Sequence, residues 1–180
     1  MKRIIATCGA LSLAAFAAGF SYAQETEAAA DTNSVQADLI NAQGETIGTA
    51  TVIQTPNGVL IRAEASNLPP GAHGFHVHET GQCDAASGFQ SAGGHYNPTD
   101  AQHGYLVEGG PHAGDMPNQT VGEDGRLVAE VFNPNLSFEG ENTLFDDDGS
   151  ALMIHANADD YQTQAAGDAG DRIACAVIER

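Results

Sequence analysis

Val35, Ala37 and Leu39 alternate with Gln36 and Asp38, and Val59, Ile61, Ala63 and Ala65 alternate with Arg62 and Glu64. A period of two puts apolar side chains on one face of an extended chain and polar ones on the other, the pattern of a half-buried strand. Residues 127–132 resume the alternation, and residues 151–155 and 173–178 add two continuous apolar runs. Thr55-Pro56-Asn57-Gly58, Pro69-Pro70-Gly71 and Glu123-Asp124-Gly125 punctuate these runs with turn chemistry, as does Gln43-Gly44. No segment sustains a 3.6-residue period, so the expected fold is all-β, an antiparallel sandwich or barrel. Two long stretches, residues 79–118 and 156–171, have no strand pattern. Irregular regions of that length inside a compact domain commonly carry function.

The amino terminus follows a different rule. Met1-Lys2-Arg3, an apolar run over residues 4–20 and then Ser21-Tyr22-Ala23 predict a secretory signal over residues 1–23, cleaved after Ala23. The run is too short and too rich in alanine and glycine for a membrane anchor. The polar, alanine-rich residues 24–33 are expected to be a disordered leader, and residues 34–180 the folded domain. Cleavage removes Cys8 and leaves Cys83 and Cys175 in a compartment where disulfides persist. A thiolate metal site is the weaker alternative, because neither cysteine has a second one nearby. Formal charge is −18, and losing the two cations Lys2 and Arg3 takes it to −20, with no lysine left. Nucleic acid and anionic membrane surfaces are therefore poor partners, and neither is expected.

Candidate chemistry centres on residues 74–83, GFHVHETGQC. Alternation projects His76 and His78 to one face and Phe75 and Val77 to the other. A lone pair of this kind also suits an ordinary surface strand. Here, however, histidines stand at 73, 76, 78, 95, 103, 112 and 155, and Asp115 follows His112 by three residues. So many imidazoles in a chain nearly free of lysine predict a metal site. Imidazole suits copper and zinc, and a carboxylate completes a tetrahedral zinc site, but spacing alone does not choose the metal. Asp146-Asp147-Asp148-Gly149 lacks the ligand spacing and terminal glutamate of a calcium loop and reads as an acidic turn.

GFHVHETGQC, GGHYNP around His95, the His103-Gly104 pair, PHAGD from His112 to Asp115 and GDAGDRIACAVI near the carboxyl end occur in one order. Together they resemble the copper/zinc superoxide dismutases from about Val35 to Ile178. The resemblance implies an eight-stranded antiparallel Greek-key β-barrel or sandwich with two long functional loops. It implies copper on His76, His78, His95 and His155, and zinc on His95, His103, His112 and Asp115, so that His95 bridges the metals. It also implies a Cys83–Cys175 disulfide, Arg172 beside the copper, and Asp159 linking a copper-side to a zinc-side histidine. His73 matches a structural histidine and is left outside the metal shell.

The implied activity is dismutation of superoxide to oxygen and hydrogen peroxide, with copper cycling between two oxidation states. In the family's usual mechanism the His95 bridge opens on reduction and its freed nitrogen carries a proton. Arg172 would orient the anionic substrate. A copper-binding or copper-delivery protein of the same fold is the rival reading, yet it would need neither Arg172 nor a bridging ligand. Two departures stand out: the region after Asp160 looks shorter than in animal enzymes and lacks lysine, and Cys83 comes five residues after His78. The latter is similar to bacterial members, so the resemblance implies a periplasmic protein; family members occur as monomers and as homodimers, and either is expected here.

Overall fold

The computed structural model describes residues 33–180. The expected signal segment, and the leader up to residue 32, lie outside the described residues. Eight strands follow in chain order: β1 (Ser34–Asn41), β2 (Thr46–Thr55), β3 (Gly58–Ala65), β4 (Gly71–His78), β5 (Asp115–Val121), β6 (Leu127–Asn133), β7 (Ser150–His155) and β8 (Arg172–Ile178). All pairings are antiparallel, in the spatial order β5-β4-β7-β8-β1-β2-β3-β6. The two strands at the ends of that order, β5 and β6, are joined by a tight turn in which the Gly122 N–H donates to the Arg126 carbonyl (2.9 Å). The result is a nearly closed barrel, as expected. The chain crosses over between β3 and β4 and again between β6 and β7, the Greek-key feature.

Two strands were not visible as alternation. In β2 the inward positions are Ile47, Ala50 and Val52, out of phase because the register with β1 shifts between Leu39 and Ile40. A bulge of this kind breaks the period of two. β5 begins inside the stretch expected to be irregular, and its Pro117 argues against a strand. β5 tolerates the missing N–H because it lies at one end of the strand order. Gly58, closing the β2–β3 hairpin at φ 144°, is needed there, since a Cβ would sit 2.5 Å from the Asn133 carbonyl of β6.

The inward residues of β3, β4, β6 and β7, including Ile61, Phe75, Val77, Leu127, Leu152 and Ile154, are fully buried in one core. Across the wall of the barrel, Ala151, Met153 and Cys175 form a second apolar cluster with Phe89 and Ala92 from the long loop after β4. That second layer explains why β7 is apolar on both faces. Cys83 is bridged to Cys175 across 92 residues, fastening the loop to β8. Chain entropy alone assigns such a closure about 4 to 5 kcal/mol. Asp146-Asp147-Asp148-Gly149 forms a turn in which the Gly149 N–H donates to the Asp146 carbonyl (3.2 Å).

Candidate metal centre

His76 and His78 leave β4 on one face, and His155 ends β7, the neighbour of β4. His95 arrives from the loop because residues 94–96 lie along β4 like a short extra strand. The Tyr96 N–H donates to the Val77 carbonyl (2.8 Å) and the Glu79 N–H to the Gly94 carbonyl (3.0 Å). These four imidazoles form one set, and His95, His103, His112 and Asp115 form a second; all seven residues are buried. Within each set the candidate ligand atoms lie within 4.8 Å of one another.

Hydrogen bonding fixes which nitrogen each ring turns inward. The His78 Nδ1–H donates to the Gly93 carbonyl (3.1 Å) and the His155 Nδ1–H to the Gly170 carbonyl (3.3 Å). Carbonyls only accept, so Nε2 of each ring keeps its lone pair. These two Nε2 atoms face each other at 3.3 Å. His76 Nδ1 and His95 Nε2 are buried with no hydrogen-bond partner. Four inward nitrogens that cannot satisfy one another form a cavity suited to a cation.

The second set converges on one oxygen. Nδ1 of His95, His103 and His112 lie 2.8, 3.1 and 3.3 Å from Asp115 Oδ1. Ligands about 2.0 to 2.1 Å from a tetrahedral zinc stand about 3.3 Å apart, so these separations are close to the edges of such a site. The other carboxylate oxygen, Oδ2, accepts the backbone N–H groups of Gly104 (2.9 Å) and His112 (3.0 Å), which fixes its orientation. Asp159 joins the sets: Oδ2 meets His76 Nε2 at 2.8 Å and Oδ1 meets His103 Nε2 at 3.0 Å.

Electrostatics differ between the sets. Burial, with smaller contributions from neighbouring histidines and Arg172, pushes His155 down to about 3 and lowers His78. Burial also takes His95 down to about 4 against the raising contact with Asp115. Neutral imidazole, the ligand form, is thus favoured. Burial opposes charge on His103 as well, but hydrogen bonds to Asp115 and Asp159 outweigh it and push that ring up to about 9. For Asp115 burial is again the largest single influence, yet the close approach of His103, His112 and His95 together holds its carboxyl well below the usual range.

Arg172 opens β8. Its Nη1 donates to the Phe89 carbonyl and Nη2 to the Gly93 carbonyl, both at 2.6 Å. The guanidinium lines a cleft with His78, His95, His155, Ala165 and Ala166. His73 belongs to neither set; its ring nitrogens lie 2.8 Å from the carbonyls of His155 and Pro69, a structural position. The structure therefore gathers all the expected site residues, and adds supports that the sequence did not disclose. Asn118 holds the Asp159 backbone at both ends, and the carbonyls of Phe89 and Gly93 carry no side-chain signal at all.

The family model described as copper/zinc superoxide dismutase matches residues 46–178. Over 171 residues the chain is 47% identical to superoxide dismutase (Cu-Zn) 1 of Aquifex aeolicus, covering 93% of this chain and 96% of that protein. It is 41% identical over 140 residues to a Cu-Zn superoxide dismutase of Caulobacter vibrioides, covering 76% and 80% of the two chains. The fold matches the crystal structure of a SOD-like protein from Bacillus subtilis with a TM-score of 0.77 and 37% identity, over 80% of this chain and 97% of that one. The family match spans every residue of both ligand sets, and this chain belongs to the copper/zinc superoxide dismutase family.

Proposed function

We propose that the chain dismutates superoxide, converting two superoxide anions and two protons to one oxygen and one hydrogen peroxide. His76, His78, His95 and His155 would hold copper, and His95, His103, His112 and Asp115 zinc. The observation that carries this reading is the divided role of His95. Its Nδ1 belongs to the carboxylate-containing set, 2.8 Å from Asp115, while its Nε2 is buried and unpartnered in the all-histidine set. Simple copper storage has no use for a ligand shared in this way. Copper supplies the one-electron couple that takes an electron from one superoxide and returns it to the next, chemistry closed to redox-inert zinc.

The chain's own groups do the rest. Arg172 is permanently charged and spends one N–H of each terminal nitrogen on the two carbonyls, leaving further N–H donors to receive and orient the anion. His95 Nε2 is the atom placed to hold a proton and hand it to the departing peroxide. Asp159 keeps His76 and His103 in their tautomers and orientation. Carboxylates far from the cleft are screened beyond a Debye length of about 8 Å at physiological ionic strength, so the acidity that bears on the substrate is that of Glu79 and Asp100, which line the cleft, and Arg172 is set against it.

Residues 1–23 would direct export to the periplasm, a reading supported by the Cys83–Cys175 bridge. Exported protein should begin at Gln24 on amino-terminal sequencing. For the activity, fully loaded protein should contain one copper and one zinc per chain and consume superoxide in direct kinetic assays. Copper-loaded protein that leaves superoxide untouched would overturn the proposal.

A further inference from the structure

Gln164 is exposed on the 156–171 loop, yet its carboxamide is fully engaged with backbone groups, chiefly those of His103. The His103 N–H donates to Gln164 Oε1 (2.8 Å), and Gln164 Nε2 donates to the His103 carbonyl (2.9 Å) and to the Gln162 carbonyl (3.0 Å). A side chain thus makes the two-way pairing that an adjacent strand would make. The same device appears on Asp159, whose backbone N–H and carbonyl pair with the Asn118 carboxamide, each at 2.8 Å. His103 and Asp159 are the two partners of the 3.0 Å contact that joins the ligand sets. That contact is gripped from both ends.

The loop is also pressed against residues 103–106. The Leu106 N–H donates to the Tyr161 carbonyl (3.0 Å), and a side chain at Gly104 would run into that same carbonyl. Immediately after Gln164 come Ala165 and Ala166, which line the cleft together with His155 and Arg172 and supply this loop's part of its wall. Whatever holds Gln164 on His103 therefore also holds that wall.

We propose that Gln164 is a positioning residue that couples the second ligand set to the wall of the substrate cleft. This rests on reading the second set as the zinc site. Zinc bound to His103 fixes the backbone that Gln164 grips, and the gripped loop keeps Ala165 and Ala166 in place. By thermodynamic reciprocity, an ordered wall favours zinc binding by the same factor.

The test uses the full mature chain with its disulfide intact and compares wild type with Gln164→Met, which keeps the length but makes neither bond. Gln164→Asn, one methylene too short to span both, should behave like the methionine variant. Zinc affinity by chelator competition should fall about tenfold, the low end of what removing an outer-shell partner typically costs. Cobalt placed in the second set should show shifted visible bands. Zinc loading should slow backbone hydrogen exchange over residues 162–168 in wild type, and most of that protection should vanish in Gln164→Met while protection around Asn118 persists. Wild-type zinc affinity together with full zinc-dependent protection of 162–168 in Gln164→Met would overturn the inference. His112→Ala separates the two layers: undiminished zinc binding in that variant removes the zinc assignment itself, independently of Gln164.

Discussion

The two ligand sets share His95 and touch through Asp159, but they are built by different means. Three of the four histidines in the first set stand on β4 and β7, strands in the middle of the sheet that are buried on both faces. The set contains no carboxylate, and burial drives His78, His95 and His155 toward the neutral form. In the second set only Asp115 belongs to a strand, as the first residue of β5, and the three histidines come from loops. There the organising force is charge: one carboxylate oxygen collects three ring nitrogens, and His103 is protonated between Asp115 and Asp159 when no metal is bound. On the proposed assignment, the redox metal would be offered a frame made by the sheet. The partner metal would be offered a frame made by hydrogen bonds and ionic contacts.

The largest effects should come from removing one ligand unique to each set. His155→Ala should lose copper and retain less than about 1% of the activity, since the redox metal supplies the reaction's electron transfer, while zinc remains. His112→Ala should lose zinc first and keep copper. Elemental analysis alongside the rate decides the matter, and equal loss of both metals from both variants would dissolve the distinction drawn here.

Arg172 tests the copper side from the substrate's direction. It is a cation lining the cleft, beside the carboxylates of Glu79 and Asp100, and both His78 and His155 register its charge. Reversing it in Arg172→Glu should lower the rate about 10- to 100-fold at low salt, within the range of electrostatic steering, and less as salt rises. Arg172→Lys should fall between, retaining charge but losing the planar fork. Arg62, paired with Glu130 on the outer surface at 2.6 Å, supplies the control, and its reversal should change little. Rates compared at matched copper content across a salt series would expose an error: parity between Arg172→Glu and wild type at low salt rules out the steering role.

Legibility in the sequence followed the same division. β1, β3, β6, β7 and β8 announce themselves because each keeps its period or its apolar run. β2 was hidden by the register shift opposite Leu39 and Ile40, and β5 by Pro117 at the end of the strand order. His76 and His78 were predictable as a pair from alternation alone. His95, His103, His112 and Asp115 were not, since nothing local brings loop residues together; only the ordered motifs of the family did so. Asn118 and Gln164 act through backbone groups of other residues, and Phe89 and Gly93 through their own carbonyls. Such supports depend on tertiary position and leave no pattern in a single chain.

The smallest expected effect, and the finest probe of the contrast, is the pH dependence of the metal-free, disulfide-intact protein. His103 has its folded value raised to about 9 from an ordinary 6.5. Its contribution to stability is therefore complete below about pH 6.5 and disappears as pH rises through 9, because over that interval the folded state binds the extra proton. His95 and His155 go the other way, to about 4 and about 3. Between those values and 6.5 the unfolded chain binds more protons, so stability falls as the solution is acidified. The sheet-built set should thus govern the acid limb and the loop-built set the alkaline limb, with greatest stability near pH 6.5 to 7. Thermal melting from pH 4 to 10 measures both. His103→Gln should flatten the alkaline limb and leave the acid limb in place, whereas His155→Gln should weaken only the acid limb. An alkaline limb unchanged by His103→Gln would show that the ionic frame of the second set does not depend on that imidazolium.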